Sequence, residues 1–210
     1  FSTDEGLQVF DLSDPVQVQR VENATIEPED SQYLLRFSDD VAESKRYWVG
    51  TGNAFLTVSG ISWDAPSDWQ SSSHAVDYLI ITHGSFLEQA NQLADYRQEQ
   101  SLRTSVVDVQ DLYDEFNYGI PNPAAIRDFL ALAYFTWQAP APTYVVLFGD
   151  GNFDPKNYLG FNRTNFVPPY LSVVDPELGE TAADNRYTTL IGMDDLPDLM
   201  LGRLAVNTMQ

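Results

Sequence analysis

Tyr144-Val145-Val146-Leu147-Phe148-Gly149-Asp150-Gly151-Asn152-Phe153-Asp154-Pro155 is the stretch around which the rest of the chain is read. A short run of bulky apolar residues, bounded by Pro142 before it and by Gly149, Gly151 and Pro155 after it, predicts a strand covered on both faces. Strands of that kind belong to parallel sheets, and ligands and catalytic groups collect at their carboxyl ends. Asp150 and Asp154, in the acidic loop that follows, are therefore the first residues to suspect of chemistry.

Toward the amino terminus the pattern alternates between strand and helix. Val76 to Thr82 predicts a strand, and Ser85 with Glu88 forms the spacing of a capping box. Phe86, Ala90, Leu93 and Ala94 then fall on one face of a helix. Arg103 to Val109 predicts the next strand and Asp111 to Phe116 a short helix. Asn122 as N-cap and Pro123 at the first helical position open a longer helix. Its apolar face is Ile126, Phe129, Leu130, Ala133 and Tyr134, and it ends near Trp137, before Pro140. The order β-α-β-α-β predicts an α/β fold, a parallel sheet with helices on both faces and right-handed crossovers. Past the opening stretch, 159–185 is loop-rich, and Tyr187 to Ile191 and Leu199 to Val206 resume the strand pattern across a turn at 192–198.

The first third of the chain differs. Leu7 to Leu12, Val16 to Val21, Tyr33 to Phe37, Arg46 to Val49 and Ala54 to Ile61 read as short strands separated by turns, with no helical period between them. They predict a β-rich region, part of a sandwich, and the polar stretch Ser62 to Ser73 marks a boundary. The expected organisation is thus an accessory β region at 1–72 and an α/β domain at 73–210.

Of the 210 residues, 43% are apolar and 13% aromatic, enough for a substantial core. The formal charge of −20, from 31 acids against 11 bases, argues against nucleic acid and anionic membrane surfaces as partners. It fits an extracellular protein or one that collects calcium on carboxylates. Cysteine is absent, so disulfides, thiolate metal sites and a cysteine nucleophile cannot come from these residues. No apolar run approaches the roughly 20 residues of a membrane helix. Phe1-Ser2-Thr3-Asp4 and Thr208-Met209-Gln210 lead to the expectation that the sequence is a piece of something longer.

Two constellations invite a chemical reading. Val76 to Gly84 is a buried strand ending in His83-Gly84, the presentation a peptidase histidine needs beside a thiol. The thiol is missing, and no Gly-x-Ser-x-Gly elbow offers a serine instead. His83 is expected to be a loop histidine near a helix start, and His74, in the polar boundary, makes no zinc pair with it. Asp150, Asp154, Glu180, Asp184, Asp194, Asp195 and Asp198 are hard oxygen donors on loops, as calcium requires. Asp150, Asp154, Asp184 and Asp194 are the candidate ligands, the plainer alternative being that these carboxylates cap helices and turns or face water. Tyr113, Phe116, Tyr118, Tyr134, Phe135 and Trp137 are expected to be core rather than a ligand surface. Asn23-Ala24-Thr25 and Asn162-Arg163-Thr164 match the glycosylation sequon, a pattern short enough to arise by chance.

With these blocks placed in order, the second part of the chain resembles the gingipain family of cysteine endopeptidases, family C25. The resemblance runs through Ala75 to Thr82, Leu93 to Arg97, Leu102 to Val107, Ile126 to Leu130, Tyr144 to Asp150 and Asp184 to Tyr187. It ends in Gly192-Met193-Asp194-Asp195-Leu196-Pro197-Asp198-Leu199-Met200-Leu201-Gly202-Arg203. It implies the first subdomain of a caspase-like fold, preceded by the β-rich region. It also implies a catalytic His-Gly and cysteine in a second, downstream subdomain, so no catalytic residue transfers to this chain and His83 is not the family's histidine. Calcium, a protein or peptide substrate, and an extracellular or cell-surface location are further implications. The leading expectation is a non-catalytic supporting portion of a secreted peptidase. The alternative is a surface or assembly protein that kept the fold without the chemistry.

Overall fold

The computed structural model describes residues 6–208 apart from Ser59, Ser62, Leu178 and Met193. The chain forms two units that divide between Asp64 and Ala65.

The first unit carries β1 (Leu7–Asp11), β2 (Gln19–Arg20), β3 (Thr25–Glu29), β4 (Gln32–Arg36) and β5 (Tyr47–Thr51). β1 sits between β2 and β5 in an antiparallel sheet, and β3 pairs with β4 as a separate hairpin. Of the predicted strand at Val16 to Val21 only Gln19–Arg20 pairs. β3 contains Pro28 and was not expected; a hairpin edge tolerates the missing N–H. The strand expected at Ala54 to Ile61 does not form among the described residues. A single 3₁₀ turn at Gly52–Ala54 is followed by unpaired chain in which Leu56 is 99% exposed. Among the described residues, Val9 is the one fully buried apolar side chain of this unit. Phe10, Trp48 and Phe55 supplement it as a ring cluster, with centroids 5.2–6.0 Å apart.

The second unit is the expected α/β layer. Its strands are β6 (Tyr78–Thr82), β7 (Thr104–Asp108) and β8 (Tyr144–Phe148), then a hairpin of β9 (Leu171–Asp175) and β10 (Gly179–Ala182), then β11 (Met200–Leu204). Its helices are α1 (Leu87–Glu99), α2 (Val109–Asn117) and α3 (Pro123–Thr136). The parallel sheet runs β11-β8-β6-β7, in register Thr82 with Asp108 and with Phe148, and Leu204 with Phe148. The period of two along each strand sorts the core. Leu79, Ile81, Val107, Val145 and Leu147 face α2 and α3 through Leu112, Ile126, Phe129 and Leu130. Tyr78, Ile80 and Phe148 face α1 through Phe86, Ala90 and Ala94. β6, buried at all five positions, and β8 are interior, as the opening stretch requires.

Local sequence explains most of the helix starts. Asn122 accepts the Ala124 N–H with Pro123 next in line, and Asp108 accepts the Gln110 N–H at the start of α2. The capping box on Ser85 and Glu88 does not form. The chain leaves β6 through a 3₁₀ turn (Gly84–Phe86), and His83 Nδ1 accepts the Ser85 N–H at 3.1 Å, so the imidazole takes the cap. The expected strand at Tyr187 to Ile191 is instead a 3₁₀ turn (Asp184–Tyr187) and bends. Tyr187 is fully buried and its hydroxyl donates to the Pro168 carbonyl at 2.8 Å. The polar stretch before β6 belongs to this unit. Glu115 of α2 accepts from Ser67 Oγ (2.5 Å) and from the N–H groups of Trp69 and Gln70 (2.9 Å each). Tyr113, Phe116, Tyr134 and Trp137 pack in the core as expected, whereas Tyr118 and Phe135 are exposed. Tyr118 closes α2 in the left-handed conformation, which turns its ring outward.

Candidate functional site

The opening stretch leads into a cleft of about 580 Å³ at the carboxyl ends of β8 and β11. One wall is the loop after β8, with Asp150, Asn152, Phe153 and Asp154; the other is the β9–β10 hairpin with Leu171 and Glu180. Phe161, Arg163 and Pro169 close it, and Asp184 and Arg203 form its charged end.

The two glycines of the stretch are required by this packing. Gly149 has φ +150°, and a Cβ there would stand 3.0 Å from Phe166 Cβ. A Cβ on Gly151 would stand 2.5 Å from the Val167 carbonyl oxygen and 2.7 Å from Pro169 Cδ. The loop therefore lies directly against the 165–169 segment, to which the Asp150 carbonyl is joined by the N–H groups of Phe166 and Val167.

Arg203 holds the site together. Its Nε and Nη2 donate to the two oxygens of Asp184 at 2.6 and 3.0 Å. Nη1 donates to the carbonyls of Gly149 (2.9 Å) and Val167 (2.7 Å), and Nη2 donates also to that of Pro168 (3.1 Å). One guanidinium thus ties β8's end, the 167–168 segment and the turn at Asp184 to β11, using its planar fork as lysine could not. In the sequence Gly202-Arg203 closes the family resemblance, and Arg203 carries no expected role there. The available signal was an arginine inside a short apolar strand of an acidic chain, where it must find a carboxylate.

Three of the four expected metal ligands reach the cleft: Asp150, Asp154 and Asp184. Asp194 does not line it; its Oδ1 accepts the Leu196 N–H in a local turn. Asp154 accepts the N–H groups of Tyr158 and Leu159, one on each oxygen, and Asp150 Oδ1 accepts the Gly151 N–H. Asp195 pairs with Arg186, and Asp198 Oδ2 accepts the N–H groups of Leu190 and Ile191. Among the described residues no three His, Asp or Glu side chains are grouped to hold a metal ion. With both Asp184 oxygens on Arg203 and both Asp154 oxygens on backbone amides, these side chains do not fit a ready-made calcium site.

His83 lies outside the cleft, its ring edge-on to Phe166 at 5.4 Å. His74 packs on Trp69 and Trp137, with ring centroids 5.2 and 4.7 Å away, and contacts Asp68. Burial pushes the Tyr187 phenol up, with the Asp184 carboxylate adding to the shift. The hydroxyl of Tyr187 is therefore a donor at any neutral pH, as its bond to Pro168 requires.

Comparison with known proteins gives the chain relatives. Residues 71–210 match peptidase family C25. No curated protein matches it in sequence. The crystal structure of dimeric latent PorU from Porphyromonas gingivalis superposes on 97% of this chain at TM-score 0.64 and 22% identity. The complex of Porphyromonas gingivalis RgpB pro- and mature domains superposes on 63% at TM-score 0.45 and 20% identity. The chain spans 21% of the length of the first and 25% of the second.

Proposed function

The chain belongs to peptidase family C25, and on that premise we propose that it is the supporting portion of a secreted cysteine endopeptidase. The reaction is peptide-bond hydrolysis. A thiolate attacks the carbonyl, a histidine carries the proton to the leaving amine, and backbone N–H groups hold the oxyanion. With no cysteine in these 210 residues, the nucleophile comes from a further part of the protein, and so does its histidine.

The observation that carries this reading is the state of β11. It is an edge strand of the parallel sheet, and the face it shares with Tyr144 is left uncovered beyond the reach of α1. Met200 is 64% and Leu204 45% exposed there, and a Cβ on Gly202 between them would meet nothing. An apolar strand with an open edge and a bare face is a place for more protein to add. The cleft opens beside it, so whatever adds at β11 meets the carboxyl ends of the strands. Among the described residues no helix is long and apolar enough to cross a membrane.

The test is to place charge on that face, as Met200→Asp with Leu204→Asp, in the protein extended beyond Gln210. Residues 1–210 carrying both changes should melt within about 2 °C of the parent, since exposed sites contribute little to the isolated fold. The extended protein should lose peptide hydrolysis. Undiminished hydrolysis by the extended variant would reject the β11 seam.

Calcium is a separate proposal, which the family resemblance raises and the side-chain geometry does not favour. An ion on Asp150 and Asp154 would have to take Asp154 from the Tyr158 and Leu159 amides. If one binds there, chelator lowers the melting temperature of the calcium-treated protein; an unchanged melting curve rejects it.

A further inference from the structure

We propose that residues 54–58 are a strap that closes onto the open edge of β5 as an antiparallel strand, so that the first unit caps its own sheet edge with the segment that follows it. Only the first unit is involved, so the supporting role proposed above neither carries this strap nor depends on it.

β5 pairs with β1 on one side and, among the described residues, with no strand on the other. The bonds around β1 fix which backbone groups of β5 are free. The Val9 carbonyl accepts the Val21 N–H on the β2 side (2.9 Å), and the Arg46 carbonyl accepts the Leu12 N–H (2.7 Å). Val9 stands opposite Val49, and hydrogen-bonded pairs alternate along an antiparallel ladder. The N–H and C=O groups of Tyr47, Val49 and Thr51 therefore point away from β1.

β5 runs straight into Gly52-Asn53, a pair suited to the two-residue turn of a hairpin because Gly and Asn tolerate positive φ. Such a turn sets Thr51 against Ala54 as its first hydrogen-bonded pair, then Val49 against Leu56 and Tyr47 against Val58. These are the residues of β5 whose groups are free. The opposite parity would have aimed the strap's bonds at groups that β1 already uses.

The side chains agree with this register. Phe55 falls opposite Gly50, on the face of Phe10 and Trp48, and it already packs on both rings, with centroids 5.8 and 5.2 Å away. Leu56 and Val58, 99% and 77% exposed, fall on the other face. There they cover Tyr47 and the half-exposed Val49, in line with the buried Val9. In the structure Gly52–Ala54 is a 3₁₀ turn and the strap is open. Closing it trades the conformational entropy of a few residues against two buried side chains and new ladder bonds, terms of similar size. Closed, the strap hides a strand edge; open, it leaves that edge free to pair with another chain.

The chain has no cysteine, so disulfide trapping in residues 1–210 reads the register directly. Val49→Cys with Leu56→Cys should form an intramolecular disulfide about tenfold faster than Val49→Cys with Thr57→Cys, a one-residue slip that puts the two Cβ atoms on opposite faces. Adding Val58→Pro, which removes an N–H that the closed ladder uses, should slow the matched pair several-fold. Exchanging the turn residues, as Gly52→Asn with Asn53→Gly, should speed it. In the parent protein the amides of Leu56 and Val58 should exchange more slowly with solvent than that of Thr57, the alternation of a paired edge strand. If a cysteine pair disturbs the fold, that alternation decides. Equal oxidation of the two pairs, or equal exchange at the three amides, would overturn the proposal. Disulfides formed between copies in preference to within one would overturn it too, by showing that the edge takes a second chain.

Discussion

Arg203 donates five hydrogen bonds from one guanidinium that is only partly exposed, and two of them form a forked pair with Asp184. Removing it leaves Asp184 without its cation and takes a donor from the Gly149 and Val167 carbonyls, while that of Pro168 keeps the Tyr187 hydroxyl, so Arg203→Ala should cost about 3 kcal/mol. In thermal unfolding followed by circular dichroism that is a fall of roughly 6–12 °C for a domain this size. Arg203→Lys keeps the charge but cannot fork, and should recover only part of the loss. A loss below about 1 kcal/mol for the alanine variant would show that the network is not what holds the cleft. Gly151→Ala tests the same site from the backbone side. Its Cβ would press into the Val167 carbonyl, which cannot move without taking Arg203's partner with it. The expected cost is about 2 kcal/mol, read in the same melt, whereas a neutral result would mean the 165–169 segment yields freely. Asp150 and Asp154 were legible from sequence because strand ends are where such residues gather. The neutralisation of Asp184 was not, because it depends on an arginine nineteen residues away. Phe153 and Phe161 were missed for a similar reason: a loop phenylalanine reads as core until the fold shows nothing covering it.

At the scale of elements, β6, β7, β8 and α3 were readable because continuous apolar runs and an Asn-Pro start leave few alternatives. Tyr187 to Ile191 misled through β-propensity alone. Asp198 takes the N–H groups of Leu190 and Ile191, and Asn185 receives that of Thr188, so those amides have no strand to join. The β9–β10 hairpin was hidden in a stretch rich in Pro and Gly, where strand pairing depends on tertiary context. In the first unit, β1 and β5 are flanked by a polar clasp. Lys45 bonds to Asp39 at 2.6 Å and lies 3.5 Å from Asp11, and Tyr47 donates to Asp39 at 2.6 Å. The bond from Lys45, then that from Tyr47, holds the Asp39 carboxyl below its ordinary value, and the Ser13 hydroxyl and N–H do so for Asp11. Depressed carboxylates contribute stability that is present above the unfolded value near 3.8 and lost as pH falls through the folded values. Amide NMR signals of Tyr47 and Trp48 should therefore persist down to about pH 4 and be lost below it before those of Ile80 and Ile81. In Asp39→Asn that acid-driven loss should shrink, and an unaltered profile would exclude the clasp.

For the molecule as a whole, the composition and the fold give the same account by different routes. The first unit has little core of its own, the second is a three-layer arrangement of helix, sheet and helix, and β11 at its edge leaves Met200 and Leu204 exposed. The class of the fold could be read from the alternation after Ser73, whereas the bonds by which Glu115 draws Ser67, Trp69 and Gln70 onto α2 could not. The absence of cysteine, visible at once, keeps the family's nucleophile outside these residues. The most direct measurement is hydrolysis of a peptide panel by purified residues 1–210, run beside the protein extended beyond Gln210. The account predicts none from residues 1–210, and from the extended protein a hydrolysis that a thiol alkylator abolishes. Hydrolysis by residues 1–210 themselves, lost on substituting His83, would contradict it.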